Sequence, residues 1–136
     1  GWPLKIVGVG PEWKNLEYLA DSSIEFLGAV EEKLLTQLLA GCKALVVAAE
    51  EDFGLTPLEA QALGKPVAAY KKGGALETVI DGQTGVFFDQ QTTASLVEAL
   101  LLIDKRGYNE KSCLEQAQKF SQERFVQKLK YVIQLH

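Results

Sequence analysis

Ala44-Leu45-Val46-Val47-Ala48-Ala49-Glu50-Glu51-Asp52-Phe53-Gly54-Leu55-Thr56-Pro57-Leu58-Glu59-Ala60 is the stretch on which the fold turns. Its first six residues are apolar without alternation, which predicts a central strand covered by helices on both faces. Thr56, Pro57 and Gly64 then frame a helix over Pro57–Leu63. Thr56 reads as its N-cap, Pro57 as its first helical residue and Gly64 as the residue just past its end. Two acids, Glu51 and Glu59, bracket the glycine turn between strand and helix. In an open α/β sheet the crevice outside the carboxyl ends of the strands is where ligands bind.

The rest of the chain repeats this alternation. Further strands are expected at Leu4–Val9, Ile24–Leu27, Val67–Tyr70 and Gly85–Phe88, with helical patterns at Glu12–Leu19, Glu31–Ala40 and Ala75–Ile80. Leu34, Leu35, Leu38 and Leu39 share one face of the second of these helices, and Glu31 and Glu32 suit the positive end of its dipole. Asp81-Gly82 marks a tight turn before the last strand. After Asp89 three helices follow without a strand, at Ser95–Leu102, Lys111–Phe120 and Gln122–Leu135. In the last, capped by Ser121, the residues Phe125, Leu129, Val132 and Ile133 form one apolar stripe. Strand–helix alternation of this kind predicts βαβ units and a parallel sheet.

Composition bounds the function. The chain has 136 residues, 47% hydrophobic and 24% charged, which fits one globular domain. A net charge of −4, from 14 basic and 18 acidic residues with no basic stripe, gives no sign of a nucleic-acid partner. No apolar run approaches the roughly 18 residues of a membrane span. Cys42 and Cys113 have no metal-ligand spacing and read as reduced thiols of a cytoplasmic protein. The single histidine is His136, so a His–carboxylate catalytic pair inside the chain is not expected. There is no Asp-x-Asp pair to hold a nucleotide-bound metal. The chain has no methionine and begins Gly1-Trp2-Pro3, which points to a piece of a longer protein.

Each motif has a plain reading beside the functional one. Gly54 permits positive φ and close approach of backbone to a ligand, and the amides near Leu55 and Thr56 open a helix, where phosphate oxygens bind without any side chain. Thr56-Pro57-Leu58-Glu59 also matches a capping box, and on these residues alone Glu59 is better explained as a cap than as an acceptor for vicinal hydroxyls. Glu50-Glu51-Asp52 reads equally as a solvated acidic loop. Lys71-Lys72-Gly73-Gly74 is a second glycine turn whose lysines would offset phosphate charge, although surface lysines are common. Glu77 reads as a local structural residue. Gly8-Val9-Gly10-Pro11 lacks the third glycine of a dinucleotide fingerprint, which excludes NAD.

Taken in order, these parts resemble the C-terminal half of a retaining glycosyltransferase of the GT-B fold, family 4. The matching segments are Leu4 to Glu12, Ile24 to Gly28, Glu51 to Ala60, Gly64-Lys65-Pro66-Val67, Gly73 to Val79 and Asp81 to Gly85, and Glu51 and Glu59 have that family's E-x7-E spacing. The resemblance implies an α/β, Rossmann-like parallel sheet with helices on both faces, lacking its first strand, and residues 1–136 as one nucleotide-sugar-binding domain. It implies that Glu51 meets the donor hexose as the catalytic carboxylate. Glu59 would hold the ribose hydroxyls, against the capping reading. The backbone from Phe53 through Gly54 and Leu55 to Thr56 would meet sugar and diphosphate, and Phe26, Leu27 and Val30 would lie near the base. No metal and no cofactor are expected. The variant Glu51-Asp52-Phe53-Gly54 with Gly73-Gly74-Ala75-Leu76-Glu77-Thr78 looks most like bacterial mannosyltransferases, hence GDP-mannose.

The family's diphosphate-binding Arg and Lys precede the first matched strand, and its N-terminal domain binds the acceptor, a glycan or lipid. Both would lie outside this chain, so the isolated chain is expected to be inactive. The sheet is expected to close up where the first strand is missing, or to be filled by a neighbour. The parent is expected in the cytoplasm, with peripheral association at the inner face of the membrane. Two other readings stay open: the corresponding half of a nucleotide-sugar epimerase, and a non-catalytic flavodoxin-like interaction domain.

Overall fold

A computed structural model describes residues 1–135; His136 lies outside the described residues. The chain divides into two compact units, Gly1–Leu38 and the part from Leu39 onward.

In the first unit β1 (Leu4–Val7) and β2 (Ile24–Gly28) run parallel, with Leu4 opposite Ile24 and Ile6 opposite Phe26. Parallel strands need a crossover, and α1 (Trp13–Leu19) supplies it. Trp13 meets Phe26 edge-on with ring centroids 5.1 Å apart, a favoured aromatic geometry. Lys5 and Glu25 pair at 3.3 Å in solvent, where such bridges contribute little. The next helix, α2 (Glu32–Gly41), begins in this unit with Glu32 in its first turn. Of its expected apolar face Leu39 is buried, Leu35 and Leu38 are half-buried and Leu34 is exposed.

The second unit is built on β3 (Leu45–Val47), β4 (Val67–Tyr70) and β5 (Gly85–Phe88), all parallel, in the order β3-β4-β5. The described strands form two parallel ladders, β1-β2 and β3-β4-β5. One expectation is corrected here. Within its ladder β3 is an edge strand, with Leu45 and Val46 only half-buried; the centre is β4, where Val67, Ala68 and Ala69 are wholly buried. An apolar run reports which residues want cover, not their place in the ladder.

Helices cover both faces of β4. On one side α5 (Thr93–Arg106) packs Ala99 and Ile103 on Ala68 and Phe88. Side chains alternate along a strand, so Val67 and Ala69 point the other way, where α3 (Leu55–Ala62) lies against β3 and β4. A short helix, α4 (Ala75–Thr78), precedes β5, and α6 (Glu110–Gln118) packs on α3. Caps set the helix starts: Thr92 accepts from the Ser95 amide, Asn109 from Ser112 and Ser121 from Arg124. The last described helix is α7 (Gln122–Gln134), whose stripe of Phe125, Leu129, Val132 and Ile133 is exposed among the described residues.

Gly85 sits where β5 meets β4, and a Cβ there would stand 2.0 Å from the Val67 carbonyl oxygen. Gly85→Ala is therefore expected to cost at least about 2 kcal/mol in urea unfolding; a neutral result would contradict the β4–β5 packing. Burial pushes the Cys113 thiol up to about 11 and raises that of Cys42 as well. A raised thiol pKa favours the fold below the ordinary value of 9.0, and that contribution is lost as pH rises from there through about 11. At pH 8 an aromatic disulfide reagent should label Cys42 first and reach Cys113 only on unfolding. Fast labelling of Cys113 in the folded chain would contradict its burial.

Candidate functional site

Unlike the expected cap, Thr56 lies inside α3. The N-cap is Gly54, with φ 74° and ψ 81° and no side-chain capping bond, and Leu55 is the first helical residue. Pro57 therefore falls at the third helical position. A helix leaves its first N–H groups without intrahelical acceptors, and proline has none to leave. What remains is a row of three backbone donors, the amides of Gly54, Leu55 and Thr56, none with an acceptor among the described residues. Such a row at the positive end of a helix attracts anionic oxygen.

The acids lie around this row. Glu51 folds back so that its Oε2 would be 3.3 Å from a Cβ on Gly54. Glu59 stands in solvent while its neighbours Leu58, Ala60 and Gln61 are buried. With Thr56 no longer the cap, the capping box does not form, and Glu59 has no side-chain partner among the described residues. Phe53 is half-exposed at 45% and meets Phe120 edge-on, centroids 6.2 Å apart. Asp52 is exposed.

The second glycine turn is spoken for by protein. The Gly74 amide donates to the Glu51 carbonyl at 2.7 Å. A Cβ on Gly73 would come within 2.3 Å of the Glu51 carbonyl oxygen, and one on Gly74 within 2.3 Å of that of Phe53. These glycines let the turn press against residues 51–53. The lysines beside it also have partners: Lys71 faces Asp89 at 3.8 Å, and Lys72 lies 5.7 Å from the centre of the Tyr70 ring. From across the unit, Gln91 Nε2 donates to the Ala48 carbonyl at 2.9 Å, just past β3. No local pattern announces a contact between residues so far apart in sequence.

The fold thus brings Glu51, Phe53, Gly54, Leu55, Thr56 and Glu59 together on one loop–helix junction. Phe26 and Leu27, on β2, and Val30, just before α2, are half-buried members of the first unit.

Comparison with known proteins defines the class. Residues 1–123 match the family described as "Glycosyl transferases group 1", and the chain belongs to that family. It is 44% identical over 73 residues to the alpha-1,3/1,6-mannosyltransferase ALG2 of Dictyostelium discoideum, a match covering 53% of this chain and 17% of that protein. It is 32% identical over 122 residues to the GDP-mannose-dependent alpha-(1-6)-phosphatidylinositol monomannoside mannosyltransferase of Mycolicibacterium smegmatis, covering 76% and 31%. The chain thus spans less than a third of the length of either relative. Its fold matches a pneumococcal O-GlcNAc transferase, GtfA, solved with UDP and GlcNAc, with a TM-score of 0.81 and 21% identity over 97% of this chain and 29% of that one. The α/β architecture is that of GT-B glycosyltransferases.

The role given to Gly74 is open to a sharp test. Its φ of −61° and ψ of −21° are right-handed helical values that alanine adopts without backbone strain. Gly74→Ala is nevertheless expected to destabilise by more than about 2 kcal/mol, because the methyl meets the Phe53 carbonyl. Gly82→Ala, at φ +76° with nothing within 4 Å, should cost only the left-handed strain of about 1 kcal/mol. Urea unfolding of the two variants decides; a neutral or stabilised Gly74→Ala would contradict the loop contact.

Proposed function

We propose that the chain is the nucleotide-sugar-binding half of a retaining, family 4 glycosyltransferase that needs no metal. Its parent would transfer a hexose, mannose from GDP-mannose in particular, to an acceptor hydroxyl. The observation that carries this reading is the junction of β3 and α3: three open backbone donors, one carboxylate folded back against Gly54, and a second, uncapped one a turn further along. Membership of the family, mannosyltransferases among the relatives and a UDP-bound structural match support it.

In this reading the amides of Gly54, Leu55 and Thr56 take the diphosphate oxygens. Glu59 accepts from the vicinal hydroxyls of the ribose, since one carboxylate matches two such donors. Glu51, lying over Gly54, faces the hexose next to the diphosphate. Phe26, Leu27 and Val30 serve the base. Acceptor binding belongs to a segment outside this chain, and placing two reactants accounts for much of the catalysis in such transfers, so the chain by itself turns over no donor. The corresponding readings as an epimerase half or as a flavodoxin-like interaction module receive no such support. The interaction-module reading explains Glu59 as a cap, and that cap does not form.

Calorimetric titration with GDP, UDP and ADP, then with GDP-mannose, tests the proposal. Saturable binding, unchanged by EDTA, is expected. Glu59→Gln should weaken it by about tenfold, the loss of a charge-assisted contact, while shifting stability by less than about 0.5 kcal/mol, as for a surface position. Unchanged affinity in Glu59→Gln, or a loss of stability without a loss of affinity, would contradict the assignment.

A further inference from the structure

We infer that Gln61 and Gln116 are positioning residues of the donor site, acting on Glu51 through α4; this rests on the functional reading above. Both amides are buried, Gln61 completely and Gln116 at 5% exposure. They come from different helices, α3 and α6, and converge on one acceptor. Gln61 Nε2 donates to the Thr78 carbonyl at 3.0 Å and Gln116 Nε2 to the same oxygen at 3.2 Å. Thr78 closes α4, and its hydroxyl donates back to the Gly74 carbonyl at 3.2 Å. Gly74 opens α4, and its amide donates to the Glu51 carbonyl at 2.7 Å. A continuous run of hydrogen bonds thus joins the two glutamines to the backbone of the acid that lies over Gly54.

The chemistry of the two side chains argues for this role over packing. Each uses its nitrogen and leaves its buried Oε1 without a protein partner. An unmatched buried acceptor costs stability, and a methionine of the same length would fill the space without it. What methionine would not supply is a donor aimed at Thr78. α4 has a single turn, too short to hold its own orientation, so its place depends on what grips its ends. Gln61 is itself on α3, the helix that carries Glu59, and its Nε2 also donates within that helix to the Pro57 carbonyl at 3.2 Å. Both acids of the site are thereby referred to one buried polar node.

Gln61→Met, Gln116→Met and the double variant test this by amide hydrogen exchange. Exchange at Gly74 is expected to accelerate by about twofold to fivefold in each single variant and by more than about tenfold in the double one, the scale of one and two lost hydrogen bonds. Exchange at Ala68 and Ala69 in β4 should stay as in the unaltered chain. GDP-mannose affinity should fall by about tenfold in the double variant, because Glu51 meets the hexose that GDP lacks. Unchanged exchange at Gly74, or equal acceleration at Gly74 and Ala68, overturns the inference, and the single variants decide in the same way if the double variant does not fold. Faster exchange at Gly74 with GDP-mannose affinity retained also overturns it. If the unaltered chain binds no nucleotide, the functional reading falls and the positioning role with it, while the exchange data still report whether the node grips α4.

Discussion

The hydrogen bond from the Gly74 amide to the Glu51 carbonyl, 2.7 Å long, is the constraint on which the candidate site depends. Residues 48–53 leave a strand of only three residues at the edge of its ladder, and they are exposed. A loop so placed has little to order it, and fixing each residue costs about 1–2 kcal/mol of backbone entropy. The Gly73–Gly74 turn supplies an anchor, and it reaches the loop because neither residue carries a Cβ. Gln91 holds the near end of the same loop at Ala48, and Phe120 meets Phe53 at the other. The loop is thus gripped at both ends and in the middle, and the turn at Gly54 follows with its amides set outward.

That grip explains how two solvent-facing acids hold defined places. Neither Glu51 nor Glu59 is fixed by an ion pair or a cap among the described residues; their backbones are fixed instead. Glu59 is carried by α3, whose Leu58 and Ala60 are buried beside it, and Glu51 by the bond to Gly74. The carboxylates stay available to a polyhydroxylated ligand while their positions are set by buried structure. Rigid elements with functional groups at their exposed ends are how a folded scaffold keeps a loop site in order.

Much of this is legible in the residues. Among the described residues, all five strands and seven helices stand within a few residues of where the apolar runs and cap signals put them, because period and turn chemistry are local. Ser121 caps α7 as expected. The start of α3 departs from the local signal because Thr56 with Pro57 matches a common capping pattern. Gly54, which accepts a left-handed φ, starts the helix two residues earlier, so proline still falls where no N–H is needed. β3 looks central because its residues are apolar on both faces, yet ladder order is decided by pairing over long sequence distances. The Gln61–Thr78–Gln116 node leaves no trace in the sequence: a glutamine on a helix looks like surface until the fold buries it. The series of glycine turns in order, rather than any single motif, points to the glycosyltransferase family.

The most direct measurement is the scalar coupling across the hydrogen bond between the Gly74 amide nitrogen and the Glu51 carbonyl carbon, read by NMR on isotopically labelled chain with and without GDP. A resolved coupling in the free chain, kept when GDP shifts the amide signals of Gly54, Leu55 and Thr56, is the predicted result. Absence of the coupling together with rapid exchange of the Gly74 amide would contradict the clamped loop, and with it the placement of Glu51 at the donor site.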